Sequence, residues 1–255
     1  MTLRLNCTTA VLAVVISLCC QTAPCHAHDR KLVWSYETTT AAQGEWEYEQ
    51  WVTYKGGSAA DPSSNRLDFR EEIEHGITDN WQIAFYLSDW RVSWDATSSQ
   101  TQWRDVAFET IYRFTEPDTD ILGSAIYGEV KVGDNLLVLE GKLLLEKDIG
   151  PLVMVYNFTL EAKWEGTRLT ESVGEYKNSF GLSHPLGGGL SAGFELEQFS
   201  EAAAWEDWSA STVYAGPNAQ YRSGKFFVTA APQWQVTNQD SEPDFRIRMI
   251  VGLEF

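Results

Sequence analysis

The sequence predicts an all-β protein, a closed antiparallel transmembrane β-barrel of about 12 strands. Three observations carry that prediction. A two-residue periodicity recurs from residue 45 to the C-terminus, the connections alternate between short and long, and the chain ends on its most regular amphipathic strand, "FRIRMIVGLEF". In that strand Phe245, Ile247, Met249, Val251, Leu253 and Phe255 form one apolar row. Arg246, Arg248, Gly252 and Glu254 form the other, with Ile250 as its only apolar member. Side chains of a strand alternate between two faces, so this is a strand with one apolar and one polar side.

The N-terminus reads as an export signal. Arg4 precedes an apolar run from Ala10 to Cys20, and small residues lead to Cys25-His26-Ala27, a loose cleavage motif. The run is too short for the roughly 20 residues of a spanning helix. Residues 1–27 are therefore expected to be a signal peptide, residues 28–44 an N-terminal periplasmic segment, and residues 45–255 the barrel. All four cysteines (Cys7, Cys19, Cys20 and Cys25) fall in the signal, so the mature chain is expected to contain no disulfide, thiolate metal site or cysteine nucleophile. The formal net charge of −17 disfavours nucleic acid and anionic headgroups as partners. With 44% hydrophobic residues the chain can still fold.

Twelve segments carry the strand period. They are 45–54, 66–75, 81–91, 104–114, 124–131 and 136–147, then 152–164, 175–184, 190–199, 209–222, 225–236 and 245–255. In the second, Leu67, Phe69 and Ile73 oppose Asp68, Arg70, Glu72 and Glu74. In the fourth, Val106, Phe108, Tyr112 and Phe114 oppose Asp105, Glu109 and Arg113. The sixth sets Leu137, Leu139, Leu143 and Leu145 against Glu140, Lys142 and Glu146.

Alternation alone also suits a soluble antiparallel sandwich. Loop parity separates the two. The even-numbered connections are mostly tight, as in "GITDN", "DIGP", "PLGGG" and "SG", and only 115–123 is longer. The odd-numbered ones, 55–65, 92–103, 165–174, 200–208 and 237–244, are long and polar, and only "VGDN" is short. A sandwich has no reason to sort its loops this way. A barrel inserted from one side of a membrane does. Its last strand must pair with its first, because lipid offers unpaired backbone groups no partner.

A terminal amphipathic strand ending in Phe255 resembles the C-terminal recognition signal of Gram-negative outer-membrane β-barrel proteins. The resemblance implies an outer-membrane location, contact with membrane lipid and recognition by the β-barrel assembly machinery. Tryptophan and tyrosine near strand ends, such as Trp34, Trp46, Tyr54, Trp81, Trp90, Trp103, Trp164 and Trp234, suit interfacial girdles. Three features fit less well. Glu71 and His75 fall on the lipid-facing row, Pro217 and Pro232 interrupt strands where bulges are expected, and Gly141 weakens an apolar row.

The polar rows should line the lumen. Its charged residues are expected to include Glu47 and Glu49 on the first strand, Asp68, Arg70 and Glu72 on the second, and Glu109 and Arg113 on the fourth. Glu140 and Lys142, Glu195 and Glu197, and Arg246 and Arg248 complete the set from later strands. Over all polar rows acids outnumber bases, which points to a narrow, weakly cation-preferring pathway or to a charge ladder that merely holds the wall together. Arg246 and Arg248 are expected to pair with Glu47 or Glu49 where the first and last strands meet. No cofactor or metal is called for. The leading reading is a non-enzymatic, porin-like transporter of small solutes or a structural barrel. The alternatives are an outer-membrane hydrolase using His75 or His184 with a serine, and a soluble sandwich binding carbohydrate through tryptophan.

Overall fold

A computed structural model describes residues 30–255. The signal sequence, its cleavage motif, all four cysteines and His28 lie outside the described residues.

The described chain forms thirteen strands. They are β1 (Trp46–Gly56), β2 (Asn65–Thr78), β3 (Trp81–Trp94), β4 (Ser99–Trp103), β5 (Asp105–Thr115), β6 (Gly123–Gly133) and β7 (Leu136–Ile149). Then follow β8 (Leu152–Glu165), β9 (Glu171–Gly187), β10 (Leu190–Ala203), β11 (Thr212–Ser223), β12 (Phe226–Gln235) and β13 (Phe245–Glu254). Strands β4 and β5 continue one another across Arg104, whose N–H bonds the Asp89 carbonyl at 2.7 Å. The wall is thus a closed antiparallel barrel of 12 strands.

Closure rules out the soluble sandwich. Strand β1 is hydrogen-bonded to both β2 and β13, and β2 to β3, so no edge is left open. The final seam runs in register from Glu47 opposite Glu254 to Gly56 opposite Phe245. It ends in a reciprocal backbone pair, Phe255 N–H to the Trp46 carbonyl at 2.9 Å and Trp46 N–H to the Phe255 carbonyl at 3.4 Å.

Most strands are longer than the sequence pattern suggests, and most loops correspondingly shorter, whereas the last three strands are each one or two residues shorter. The expected loop at 92–103 is mostly the β3–β4 hairpin, with Asp95 at its tip. The Asp95 carboxylate accepts bonds from the Thr97 and Ser98 N–H and hydroxyl groups, which hold it well below the usual carboxylate range. Parity survives: 79–80, 150–151, 188–189 and 224–225 are tight turns at one end of the barrel, here called the turn end. The connections 57–64, 204–211 and 236–244 lie at the other, the loop end.

The misfits resolve locally. The predicted bulges at the prolines are absent: Ala215–Trp234 and Ala219–Ala230 keep one register across the gap. In that register Pro217 stands opposite Pro232, so two missing donors interrupt the ladder at one place instead of two. Glu71, on the outer face, accepts a hydrogen bond from the Ser88 hydroxyl beside an irregularity in the β2–β3 pairing. His75 stacks on Trp46 with ring centroids 4.1 Å apart, at the turn end.

Candidate functional site

The lumen is filled at its turn end by the chain's own N-terminal segment. Residues 30–42, which the sequence reading places in the periplasm, fold into the barrel as a strap. Leu32, Val33, Ser35 and Thr38 are completely buried. The strap has no regular secondary structure, so its backbone groups need partners from the wall. The Glu195 carboxylate accepts the N–H groups of Val33, Trp34 and Ser35 at 2.7–3.0 Å. Asn157 brackets Tyr36, accepting its N–H at 2.7 Å and donating to its carbonyl at 2.9 Å. Glu146 takes the Thr38 N–H, Gln82 takes the Ala41 N–H, and Gln220 and Thr229 donate to the Arg30 carbonyl.

Apolar side chains of the strap meet apolar residues on the inner face. Val33 and Trp34 pack with Trp51, Phe227, Ala231 and Ile250, so Trp34 lies inside the lumen and not in the interfacial girdle its sequence position suggests. Leu32 packs with Val153 and Val155, and Tyr36 lies against Ile111, Ala125, Tyr127 and Leu144. Gly181 allows the approach: a Cβ there would sit 2.5 Å from Leu32. These residues were missed by sequence reasoning, yet a signal for them exists. Ile250, Trp51, Phe227 and Val155 are apolar members of mostly polar inward rows. A water-filled lumen would not want them.

Above the strap is a cavity of about 250 Å³. Trp34 and Tyr36 of the strap form part of its lining, with Trp51 and Tyr127 of the wall. Lys142 lies over both tyrosine rings, 3.9 Å from the Tyr36 centroid and 3.6 Å from that of Tyr127. Arg246 and Arg248 lie over the Trp34 ring at 3.9 and 4.2 Å. The floor and the charged wall are therefore packed against each other by cation–π contacts. A second cavity of similar size shares Lys55, Arg66, Lys177, Glu197 and Arg246 and extends to Glu242 in the loop 236–244.

The structure separates the sequence-predicted charges into two groups. Glu47, Glu49, Glu72, Glu109 and Glu195 are buried, each at most 1% exposed, and none lines the cavity. Glu49 pairs with Arg30 of the strap at 3.4 Å, and Glu195 holds the strap backbone. Asp68, Arg70, Glu140, Lys142, Glu197, Arg246 and Arg248 line the cavity. Arg113 does neither: it pairs with Glu116 at 3.0 Å and donates to the Asp79 carbonyl at the turn end.

The expected seam of Glu47 or Glu49 against Arg246 or Arg248 does not form. The strands are neighbours, but antiparallel pairing sets the start of β1 against the end of β13. Glu49 therefore lies opposite Gly252, while Arg248 lies opposite Thr53 and Arg246 opposite Lys55. Arg246 finds its carboxylate on Glu197, at 2.8 Å, and also donates to Gln233. Arg248 bonds the Thr53 hydroxyl and the Val33 carbonyl of the strap.

Neither described histidine faces the lumen. His184 is exposed beside the inward Ser183, and His75 bonds the Glu45 carbonyl. Among the described residues neither ring bonds a serine hydroxyl.

Known structures share this barrel. The COG4313 outer membrane channel from Pseudomonas putida F1 superposes with a TM-score of 0.65 at 14% identity, over 88% of this chain and 100% of that one. The NanC porin gives 0.54 at 11% identity, over 82% of this chain and 98% of that one, and the KdgM porin 0.52 at 10%, over 83% and 99%. At such identities the likeness is one of fold. No curated protein matches the sequence. A family model does: it covers residues 24–243, and the chain belongs to that family, a family of unknown function (DUF6662).

Proposed function

We propose that the protein is an outer-membrane channel for small solutes whose turn end, facing the periplasm, is closed by its own N-terminal strap. The observation that carries this reading is the lumen's construction: a charged cavity reaching toward the loops, floored by a strap that belongs to no strand. A barrel of about eight strands is filled by side chains alone, whereas this one of twelve keeps a charged cavity above its strap. The signal-like N-terminus and the aromatic C-terminal strand support export and assembly into the outer membrane of a Gram-negative cell. The fold shared with a channel and two porins is consistent with this, and the outward placement of both described histidines favours a non-enzymatic role.

Conductance of the purified protein in planar lipid bilayers tests the proposal. The full chain should give small or intermittent currents, and a variant lacking residues 30–43 should give steady, larger ones. A folded barrel that stays silent with the strap removed would overturn the channel reading.

A further inference from the structure

The cavity wall carries its charge unevenly. Nine lysines and arginines line the cavity against six carboxylates, the reverse of the balance in the whole chain. The excess lies on one side. The contiguous strands β13, β1, β2 and β3 contribute Arg246, Arg248, Lys55, Arg66, Arg70 and Arg91, against only Asp68 and Asp89. The opposite wall, β6 to β10, contributes three lysines and four glutamates.

The register sharpens this into a row. Lys55 stands directly opposite Arg246 on one neighbouring strand and Arg66 on the other. Like charges directly opposite across strands are destabilising. Two members of the row are offset by carboxylates: Arg246 by Glu197 at 2.8 Å, and Arg66 by Asp68 at 2.9 Å. Asp68 is shared, since it also takes Arg91 at 2.7 Å. Lys55 has no carboxylate within salt-bridge distance among the described residues, and Arg248, one row below, has only neutral partners. Both groups line the cavity, and Lys55 lines its extension toward the loops. A guanidinium and an ammonium converging on an accessible space form a receptor for a carboxylate or phosphate, whose oxygens accept charge-assisted bonds.

From this juxtaposition we infer that the cavity is a binding site for a small organic anion, held through its carboxylate or phosphate oxygens by Lys55, with Arg66 and Arg248 beside it. The site deepens the channel reading and rests on it for its biological route: the anion would enter from the loop end and stop above the strap. Trp34 and Trp51 at the floor offer apolar faces to the rest of the molecule.

Trp34 and Trp51 also report occupancy, so intrinsic fluorescence of the full chain in detergent provides the test. Glucuronate and inorganic phosphate are titrated, with glucose and lysine as uncharged and cationic controls. A saturable response to either anion, absent with both controls, is the expected result; the tighter anion names the preferred oxyanion. Lys55→Gln should weaken it about tenfold or more, the loss of one hydrogen bond to a charged group. Lys55→Arg should retain it, which distinguishes lost charge from misfolding, and heat-modifiable migration checks that each barrel is folded. No response to either anion, an equal response to glucose, or a response unchanged in Lys55→Gln would overturn the site. Reversal potentials of the strap-deleted channel separate the two readings. Steady current without anion preference, together with absent binding, leaves a channel and removes the anion site. Binding without current in any variant removes the channel and keeps the site.

Discussion

The Glu195 carboxylate accepts the backbone N–H of Trp34 at 2.7 Å, bridging a separation of 161 residues between strand β10 and the strap. Both neighbours of Trp34 donate to the same group. Hydrogen bonds to charged groups contribute about 1.5–3 kcal/mol each, so one side chain supplies much of the strap's polar anchorage. Glu195→Ala should therefore free the strap while the barrel stays closed. The expected readouts are a larger bilayer conductance and faster protease cleavage within residues 30–43. Glu195→Gln, which keeps one acceptor oxygen, should fall between. An unchanged conductance with an intact strap would show that Asn157 and the apolar contacts suffice.

The barrel was legible in the sequence because its determinants are periodic. Strand rows, loop parity and the terminal strand all follow from an apolar exterior and the alternation of side chains. The strap was not legible. Residues 30–42 have no period, and nothing local tells a peptide in water from one docked inside a lumen. Its trace is displaced onto distant strands, as Ile250, Phe227 and Val155. The charged seam failed for a different reason. Composition put acids on β1 and bases on β13, but only register decides which ones meet, and one end of each strand faces the opposite end of its neighbour. The same register made Lys55 part of a cationic row that the overall surplus of acids conceals.

The outward belt gives a direct test of the face assignment. Leu139 is 43% exposed and Phe85 46%, both on the face away from the strap. Leu139→Arg and Phe85→Arg should each destabilise by about 2–4 kcal/mol if they lie near the bilayer midplane, less toward an interface. Thr159→Arg, on the inner row and lining the cavity, should be milder. Urea unfolding in lipid vesicles measures all three. Equal costs on both rows would mean that the face assignment is wrong.

Closure makes a prediction about Phe255. Its backbone completes the seam with Trp46, while its side chain is 61% exposed. Deleting Phe255 removes one reciprocal pair and the aromatic terminus together. It should lower the folded, heat-modifiable fraction in outer membranes and leave unfolded protein in the periplasm. Phe255→Tyr should assemble normally. If Phe255→Ala assembles as well as the unaltered chain while the deletion fails, the backbone pair and not the ring is what assembly requires.

The Arg246–Glu197 pair offers the sharpest separation of stability from charge. The two groups meet at 2.8 Å, with side chains 4% and 6% exposed, and Arg246 is further held over the Trp34 and Tyr214 rings at 3.9 Å. Removing one partner of a buried pair leaves an uncompensated charge, at a cost of about 3–5 kcal/mol. Arg246→Met should therefore lower the unfolding midpoint strongly, because Glu197 is then left without its arginine. The double variant Arg246→Met/Glu197→Gln removes both charges and should recover much of that loss, although the stacking on Trp34 and Tyr214 is gone. Reading the strap's protease sensitivity alongside assigns the remainder. If the double variant is stable but its strap is cleaved quickly, the cation–π contact to Trp34 holds the floor of the cavity. If the strap stays protected, the Glu195 cradle holds it alone.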